Sequence, residues 1–287
     1  MMTRREIRTV AVLGAGTMGQ GIAQVCAMAG YKTIIYDIDI TLTQKALSAI
    51  QQNLDAAIVK GKLTDEKKQF TLTKIILSNQ TSDLRVDLAI EAVVEKLEVK
   101  QQLFSDIEKI NEGNCILATN TSSISVTKIA SVLKNPGNCI GLHFFNPANL
   151  MKLVEVVVTA TTKSELVALM KEFAKSLNKI PVETKDSPGF IVNRVARHYY
   201  VEALKLLEDD VADVASIDKL LRSAGFKMGP FELMDLIGID VNFAVTSSLY
   251  HSFNEEVRFK PSQIQERKVL AGELGKKTGK GFYEYTR

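Results

Sequence analysis

The stretch "TVAVLGAGTMGQGIAQV", residues 9–25, constrains the fold more than any other part of the chain. An apolar, β-branched run ends on glycine, and a helical pattern begins within a few residues. A strand that feeds a helix through so short a turn belongs to a strand–helix–strand unit with parallel strands. Gly14, Gly16 and Gly19 stand in GxGxxG spacing. The first glycine allows the tight turn, the second lets a pyrophosphate approach the backbone, and the third lets helix and strand pack closely. The helix start then offers unpaired N–H groups and a partial positive charge to phosphates. A second strand, "YKTIIYD", ends on Asp37, near the place where a ribose-binding acid is expected. Its carboxylate would accept from ribose hydroxyls and repel a 2′-phosphate. The sequence therefore predicts NAD and disfavours NADP, with Lys32 as a counter-signal. A Gly-rich turn followed by a helix-capping Asp would read the same way, and FAD shares the fingerprint.

Strand and helix patterns alternate from "IRTVAVLGAG" to "IPVETK". This predicts an α/β domain, a Rossmann-type doubly wound sheet, over residues 1–186. Residues 41–70 read as a helical pair broken at "KGKLT", with Lys60, Lys62, Lys67 and Lys68 as a basic cluster. After "DSPGF" the texture becomes helical, with a strand expected at most in the tail. Residues 187–287 are therefore predicted to form an all-helical C-terminal domain. The chain has 287 residues, 46% of them hydrophobic and 24% charged, which excludes disorder. A net charge of +3 is too weak for nucleic acid but suits a small anionic ligand. Cys26, Cys115 and Cys139 are odd in number and lack metal-ligand spacing, so reduced thiols and no metal are expected. No apolar run reaches the ~18 residues of a membrane span. The basic start, "MMTRREIRTV", reaches its first strand too soon for a signal peptide, which predicts a cytoplasmic protein.

Three further segments carry chemistry. "HFFNP" places His143 at a strand end, and twelve positions later Glu155 is the only acid in the apolar run "KLVEVVV". A histidine near its natural pKa suits proton transfer to or from an alcohol, and a carboxylate behind it would fix its tautomer. "ATNTSS" closes a strand with Asn120, Ser122 and further hydroxyls, and "DSPGFIVNR" carries Asn193 into the first helix of the second domain. An Asn or Ser could orient a substrate oxygen. Taken singly, each has a structural use: a strand-end histidine, a satisfied edge acid, a helix N-cap, a solvated asparagine.

Together, "GAGTMGQGIA", "ATNTSSIS", "GLHFFNPANLMKLVEVV", "DSPGFIVNR" and "GKKTGKGFYEY" resemble the 3-hydroxyacyl-CoA dehydrogenase family, its 3-hydroxybutyryl-CoA members most. The resemblance runs from about Thr9 to Tyr285. It implies an NAD-dependent oxidoreductase acting on acyl-CoA, a helical second domain that positions substrate, and a homodimer through that domain. It assigns His143 as general acid/base with Glu155 as partner, and Ser122 and Asn193 near the substrate. Glu91, Lys96, Asn120, Ser122, Asn146 and Lys277 become cofactor contacts beside the glycines and Asp37. Asn53, Lys60 and Ser122 become contacts to the CoA substrate, although serine often stands where Asn53 does. "RSAGFKMGPFELMDLIGIDVNFAV" also resembles 3-hydroxyadipyl-CoA dehydrogenases, whose acyl chain ends in a second carboxylate; Arg194 and Arg197 are the cations near Asn193 that could meet it. A sugar-acid dehydrogenase and a non-catalytic NAD-binding protein are the remaining alternatives.

Overall fold

The computed structural model describes residues 6–285. Residues 1–5, half of the basic start discussed above, lie outside the described residues. The described residues divide between Asp186 and Ser187 into two compact units.

The first unit runs β1 (Thr9–Leu13), α1 (Thr17–Met28), β2 (Lys32–Tyr36), α2 (Ile40–Val59), α3 (Asp65–Thr73), β3 (Ile75–Ser78), β4 (Leu88–Glu91), α4 (Leu97–Ile110), β5 (Ile116–Thr119), α5 (Val126–Ala130), β6 (Cys139–Phe144), β7 (Leu153–Val158), α6 (Ser164–Ser176) and β8 (Ile180–Lys185). Its eight strands form one sheet in the order β3-β2-β1-β4-β5-β6-β7-β8. All neighbours are parallel except β6 and β7, which run antiparallel. The order reverses between β1 and β4, the switch point outside which such sheets bind ligands. β1, β4 and β5 are buried almost throughout, as strands covered on both faces must be. Val12, Ile35, Ile90, Ala118, Leu142 and Val156 pack with Ile22, Cys26, Ile50 and Met170 from the helices into one core.

The sequence reading passed over β3. It is a four-residue edge strand whose side chains are mostly only partly buried, so its apolar signal is short and has no period. All three cysteines are buried. No helix among the described residues is long and apolar enough to cross a membrane, and no group of His, Cys, Asp and Glu among them could hold a metal ion.

The second unit is helical: α7 (Val192–Glu208), α8 (Val214–Ser223), α9 (Pro230–Ile237), α10 (Ile239–Ser252) and α11 (Gln263–Leu270). Arg197, Tyr200, Val201, Ala203 and Leu204 make the buried stripe of α7, at the three-and-four spacing of an amphipathic helix. Tyr200, Leu204, Ile217, Phe231, Met234 and Ile239 form the core. The tail makes only isolated bridges, Gly275 to Lys280 and Lys280 to Glu284, instead of a strand. Two buried acids anchor it. Asp235 accepts from the Phe282 and Tyr283 N–H groups and from the Tyr285 hydroxyl, each at 2.9 Å. Asp218 accepts from the Tyr283 hydroxyl at 2.8 Å and from the Phe231 and Glu232 N–H groups at the start of α9.

These contacts make the helical unit sensitive to alkali. Burial, then the bonds to Asp218 and Asp235, hold both phenols protonated above their ordinary range. In the unfolded chain each ionises near pH 10. Their stabilisation is therefore intact below about pH 10 and is lost as pH rises further. Tyr283→Phe and Tyr285→Phe should each cost roughly 1–2 kcal/mol at neutral pH and flatten the loss between about pH 9 and 11. Urea unfolding across that range measures both, and variants with an unchanged alkaline slope would remove the tyrosines from the explanation.

Candidate active site

β1, β4, β5 and β6 are parallel neighbours, so the loops that leave their carboxyl ends share one edge of the sheet. Those loops hold most of the residues singled out from the sequence.

At the end of β1 the chain turns on Gly14, whose φ of +104° suits glycine. A Cβ there would meet the Ala92 carbonyl oxygen at 2.6 Å, which shows how closely the loops after β1 and β4 approach. A Cβ on Gly19 would sit 1.8 Å from the Gly14 oxygen, so only glycine lets α1 start against the turn. Gly16 is different. It is the N-cap of α1, carries no capping side chain, and a Cβ on it would meet nothing within 4 Å. An uncapped helix start opening on free space is a cradle for a phosphate. Asp37, one residue beyond β2, accepts from the Ala15 N–H at 2.9 Å and from the Asp39 N–H at 3.3 Å. Two backbone donors hold its carboxylate beside the glycine turn, and a carboxylate has further lone pairs for hydroxyl groups. The cap of α2 is Asp39, which accepts from Thr41. These residues fit a dinucleotide.

At the end of β6 the antiparallel register sets His143 directly opposite Glu155. His143 is 5% exposed and Glu155 0%. The imidazole Nδ1 and Glu155 Oε2 are 2.7 Å apart. A buried carboxylate here requires a donor, which assigns the proton to Nδ1 and leaves Nε2 as the basic nitrogen. The Phe145 ring lies 4.5 Å from the imidazole. The Asn120 side-chain oxygen accepts from the Phe144 N–H at 2.8 Å and so ties the end of β6 to the turn after β5. The connection from β6 to β7 carries Asn146, which is exposed. Lys179 closes it from beneath, donating to the carbonyls of Ala148 at 2.5 Å and Met151 at 2.8 Å, while burial pulls its pKa down.

The turn after β5 corrects one expectation. Glu91 is 0% exposed, and its oxygens receive Lys100 Nζ at 2.5 Å, the Val93 N–H at 2.8 Å and the Thr119 hydroxyl at 2.7 Å. It faces the interior and has no surface to offer a cofactor. Glu95, which the sequence reading did not single out, reaches the turn after β5 instead. Its side chain is 38% exposed, and it accepts from the Thr121 hydroxyl, the Ser122 and Ser123 N–H groups at 3.2 Å and the Ser123 hydroxyl at 2.9 Å. Lys96 is the exposed N-cap of α4.

On α2, Asn53 and Lys60 lie seven residues apart, two turns on one face. Asn53 donates weakly to Gln24 at 3.4 Å, and Lys60 is exposed at the helix C-cap. Part of the basic cluster is neutralised, since Lys68 pairs with Asp55.

The remaining expected residues belong to the helical unit. Asn193 lies in the first turn of α7. The Lys277 ammonium is held by both oxygens of Asp240, at 2.6 and 2.7 Å, 37 residues upstream. Arg194 stacks over the Phe253 ring. Arg197 is 4% exposed and donates to the Asn242 carbonyl and the Thr246 hydroxyl, both at 2.9 Å.

Comparison with known proteins places the chain in a family. Residues 9–187 match the model of the 3-hydroxyacyl-CoA dehydrogenase NAD binding domain, and residues 189–285 match that of the 3-hydroxyacyl-CoA dehydrogenase C-terminal domain. A 3-hydroxyadipyl-CoA dehydrogenase of Escherichia coli (strain K12) is 49% identical over 282 residues, covering 98% of this chain and 59% of that protein. A crystal structure of a 3-hydroxybutyryl-CoA dehydrogenase from Escherichia coli K12 superposes with a TM-score of 0.94 at 48% identity, covering 98% of this chain and 60% of that one. This chain thus spans about three-fifths of the length of those two relatives. An (S)-3-hydroxybutyryl-CoA dehydrogenase from Ralstonia eutropha gives a TM-score of 0.93 at 39% identity, covering 98% of this chain and 100% of that one. By both of its domains, the chain belongs to the 3-hydroxyacyl-CoA dehydrogenase family.

Proposed function

We propose that the protein is an NAD-dependent (S)-3-hydroxyacyl-CoA dehydrogenase that interconverts 3-hydroxybutyryl-CoA and acetoacetyl-CoA. The observation that carries this reading is the buried His143–Glu155 pair, at the same sheet edge as the uncapped glycine turn. The nicotinamide, when bound, supplies the acceptor or donor of a hydride at C3 of the acyl chain. His143 Nε2 takes the hydroxyl proton in oxidation and returns it in reduction. Glu155 holds the ring and balances the imidazolium. Ser122 and Asn193 orient the substrate oxygen and the thioester.

Gly14, Gly16, Gly19 and the start of α1 hold the pyrophosphate, and Asp37 receives the ribose hydroxyls, which favours NAD over NADP. Ile38, beside Asp37 and almost fully exposed, offers an apolar face to a flat ring. Asn120, Asn146 and Lys96 complete the cofactor contacts, and Asn53 and Lys60 face the CoA. Exposed Val195, Leu220, Val257 and Leu270 on the helical unit suit a homodimer through that unit. An odd number of buried cysteines fits a cytoplasmic setting.

A second reading, 3-hydroxyadipyl-CoA, is favoured by the 49% identity to the Escherichia coli enzyme of that name and by Arg197. Nε of this buried guanidinium has no protein partner among the described residues, and the residue sits one helical turn from Asn193.

NADH oxidation with acetoacetyl-CoA and with 3-oxoadipyl-CoA separates the two readings by the ratio of kcat/KM, and NADPH run in parallel tests Asp37. Binding of NADH without turnover of either substrate would leave a non-catalytic NAD-binding protein instead. His143→Ala should lower kcat about 10²–10⁴-fold, and Glu155→Gln about 10²-fold, with NADH affinity nearly unchanged. Near-normal turnover in His143→Ala would refute the proton-transfer role. Gly16→Ala should leave stability within about 0.5 kcal/mol of the parent while weakening NADH binding about tenfold, because its methyl fills the cradle and touches no protein atom. Gly19→Ala should instead lose about 1–3 kcal/mol of stability. Equal NADH affinity in Gly16→Ala and the parent would move the phosphate site elsewhere.

A further inference from the structure

α4 buries Lys100, Phe104, Ile107 and Glu108 on one stripe, so Lys100 stands where an apolar residue is expected. Its side chain is 1% exposed. Its ammonium lies 2.5 Å from Glu91 and 3.0 Å from Glu95. Glu91 is pinned in turn by the Thr119 hydroxyl, which also accepts from the Thr121 N–H at 3.2 Å. On the far side, one oxygen of Glu95 collects the four donors of the turn Thr121–Ser123, and the other faces Lys100. A buried cation thus joins a fully buried acid on β4 to a half-exposed acid that organises the turn carrying Ser122.

We infer that Lys100 is a positioning residue: anchored on Glu91, it keeps Glu95 ionised as the acceptor that shapes the Thr121–Ser123 turn and presents Ser122. The consequence for Ser122 rests on the proposed function; the ordering of the turn does not. An ionised carboxylate accepts only, whereas a protonated one turns one oxygen into a donor that cannot serve N–H and O–H groups. Burial pushes the Glu95 pKa up, but the Lys100 ammonium and the hydroxyls of Thr121 and Ser123 outweigh it and hold the carboxyl below its ordinary value. The charged groups acting on Glu95 are Lys100 from α4 and, through it, Glu91 from β4; the turn after β5 adds hydroxyls and amides but no titrating side chain.

The test variant is Glu91→Gln with Lys100→Met, which removes the buried pair together and leaves Glu95 to titrate alone. Without the ammonium the main charge that lowers the Glu95 pKa is gone while burial remains, so that pKa rises. Hydrogen exchange of the amides of residues 121–124, corrected for its intrinsic pH dependence, should then speed up at least fivefold in the variant relative to the parent as pH falls from about 7.5 to 4.5. The variant's kcat/KM for acetoacetyl-CoA should show an acid limb displaced to higher pH than the parent's. A variant that folds but keeps the parental exchange and pH profile overturns the inference. So does a pH-independent loss of activity with unchanged exchange, which would mark a merely structural pair. If the parent turns over no 3-oxoacyl-CoA, the functional reading fails, and the exchange result still decides the role of Lys100. Should the double variant not fold, the ¹³C carboxyl titration of Glu95 in the parent decides: a midpoint below the ordinary value supports the inference, and one at or above it overturns it.

Discussion

The hydrogen bond between His143 Nδ1 and Glu155 Oε2 exists because β7 runs against β6. Parallel neighbours need a crossover of a dozen or more residues, usually through a helix. The antiparallel return through residues 145–152 brings a residue only twelve positions later directly opposite. Side chains alternate along a strand, so a slip of one residue would turn Glu155 to the other face, away from His143 and into apolar packing. Leu142, Phe144, Val154 and Val156 flank the pair and are all buried. Hydrophobic burial therefore enforces the register, and the register brings imidazole and carboxylate together. The same contacts that stabilise the sheet orient the His143–Glu155 pair.

Two fully buried glutamates in this unit have different nitrogen partners. Glu91 has Lys100 and Glu155 has His143. An ion pair away from water holds together only when both desolvated charges find good partners. Lys100 lies between two acids, 2.5 Å from Glu91 and 3.0 Å from Glu95, and so braces the turn that Glu95 holds. The imidazole has two ring nitrogens, of which Nδ1 bonds Glu155 and Nε2 is the one that the proposed function uses.

Much of this was legible in the letters. The GxGxxG turn, Asp37 and the isolated Glu155 stood out because each breaks a pattern: glycines where a helix begins, an acid in an apolar strand. The division into an α/β part and a helical part followed from the change of texture at "DSPGF". β3 escaped because a short edge strand buries too little to leave a period. The burial of Glu91 was not legible because "EAVVEK" puts two acids four residues apart across a strand end. Only the structure tells which is the last buried strand residue and which stands in the turn. A signal for that network did exist. Lys100 falls four residues before Phe104 on the apolar stripe of α4, and a lysine on a core stripe demands a buried carboxylate nearby. The Lys277–Asp240 pair had no such signal, because its partners are far apart in the chain and neither interrupts a pattern.

Arg197 shows the same logic without its resolution. It lies on the buried stripe of α7, and burial draws its guanidinium down to about 10, still protonated at neutral pH. Its contacts are a carbonyl, a hydroxyl and the face of Tyr200, with no carboxylate among them. Its Nε, the Asn242 amide nitrogen and the Gln265 amide oxygen find no protein partner among the described residues. A buried donor left unmatched costs about 1–3 kcal/mol, more when charged. Glu91 and Glu155 each have a nitrogen partner within the fold, whereas Arg197 has no carboxylate among its contacts in the described residues. Under the proposed function, Arg197 is the residue on which the choice between the two substrate readings turns, one turn along α7 from Asn193.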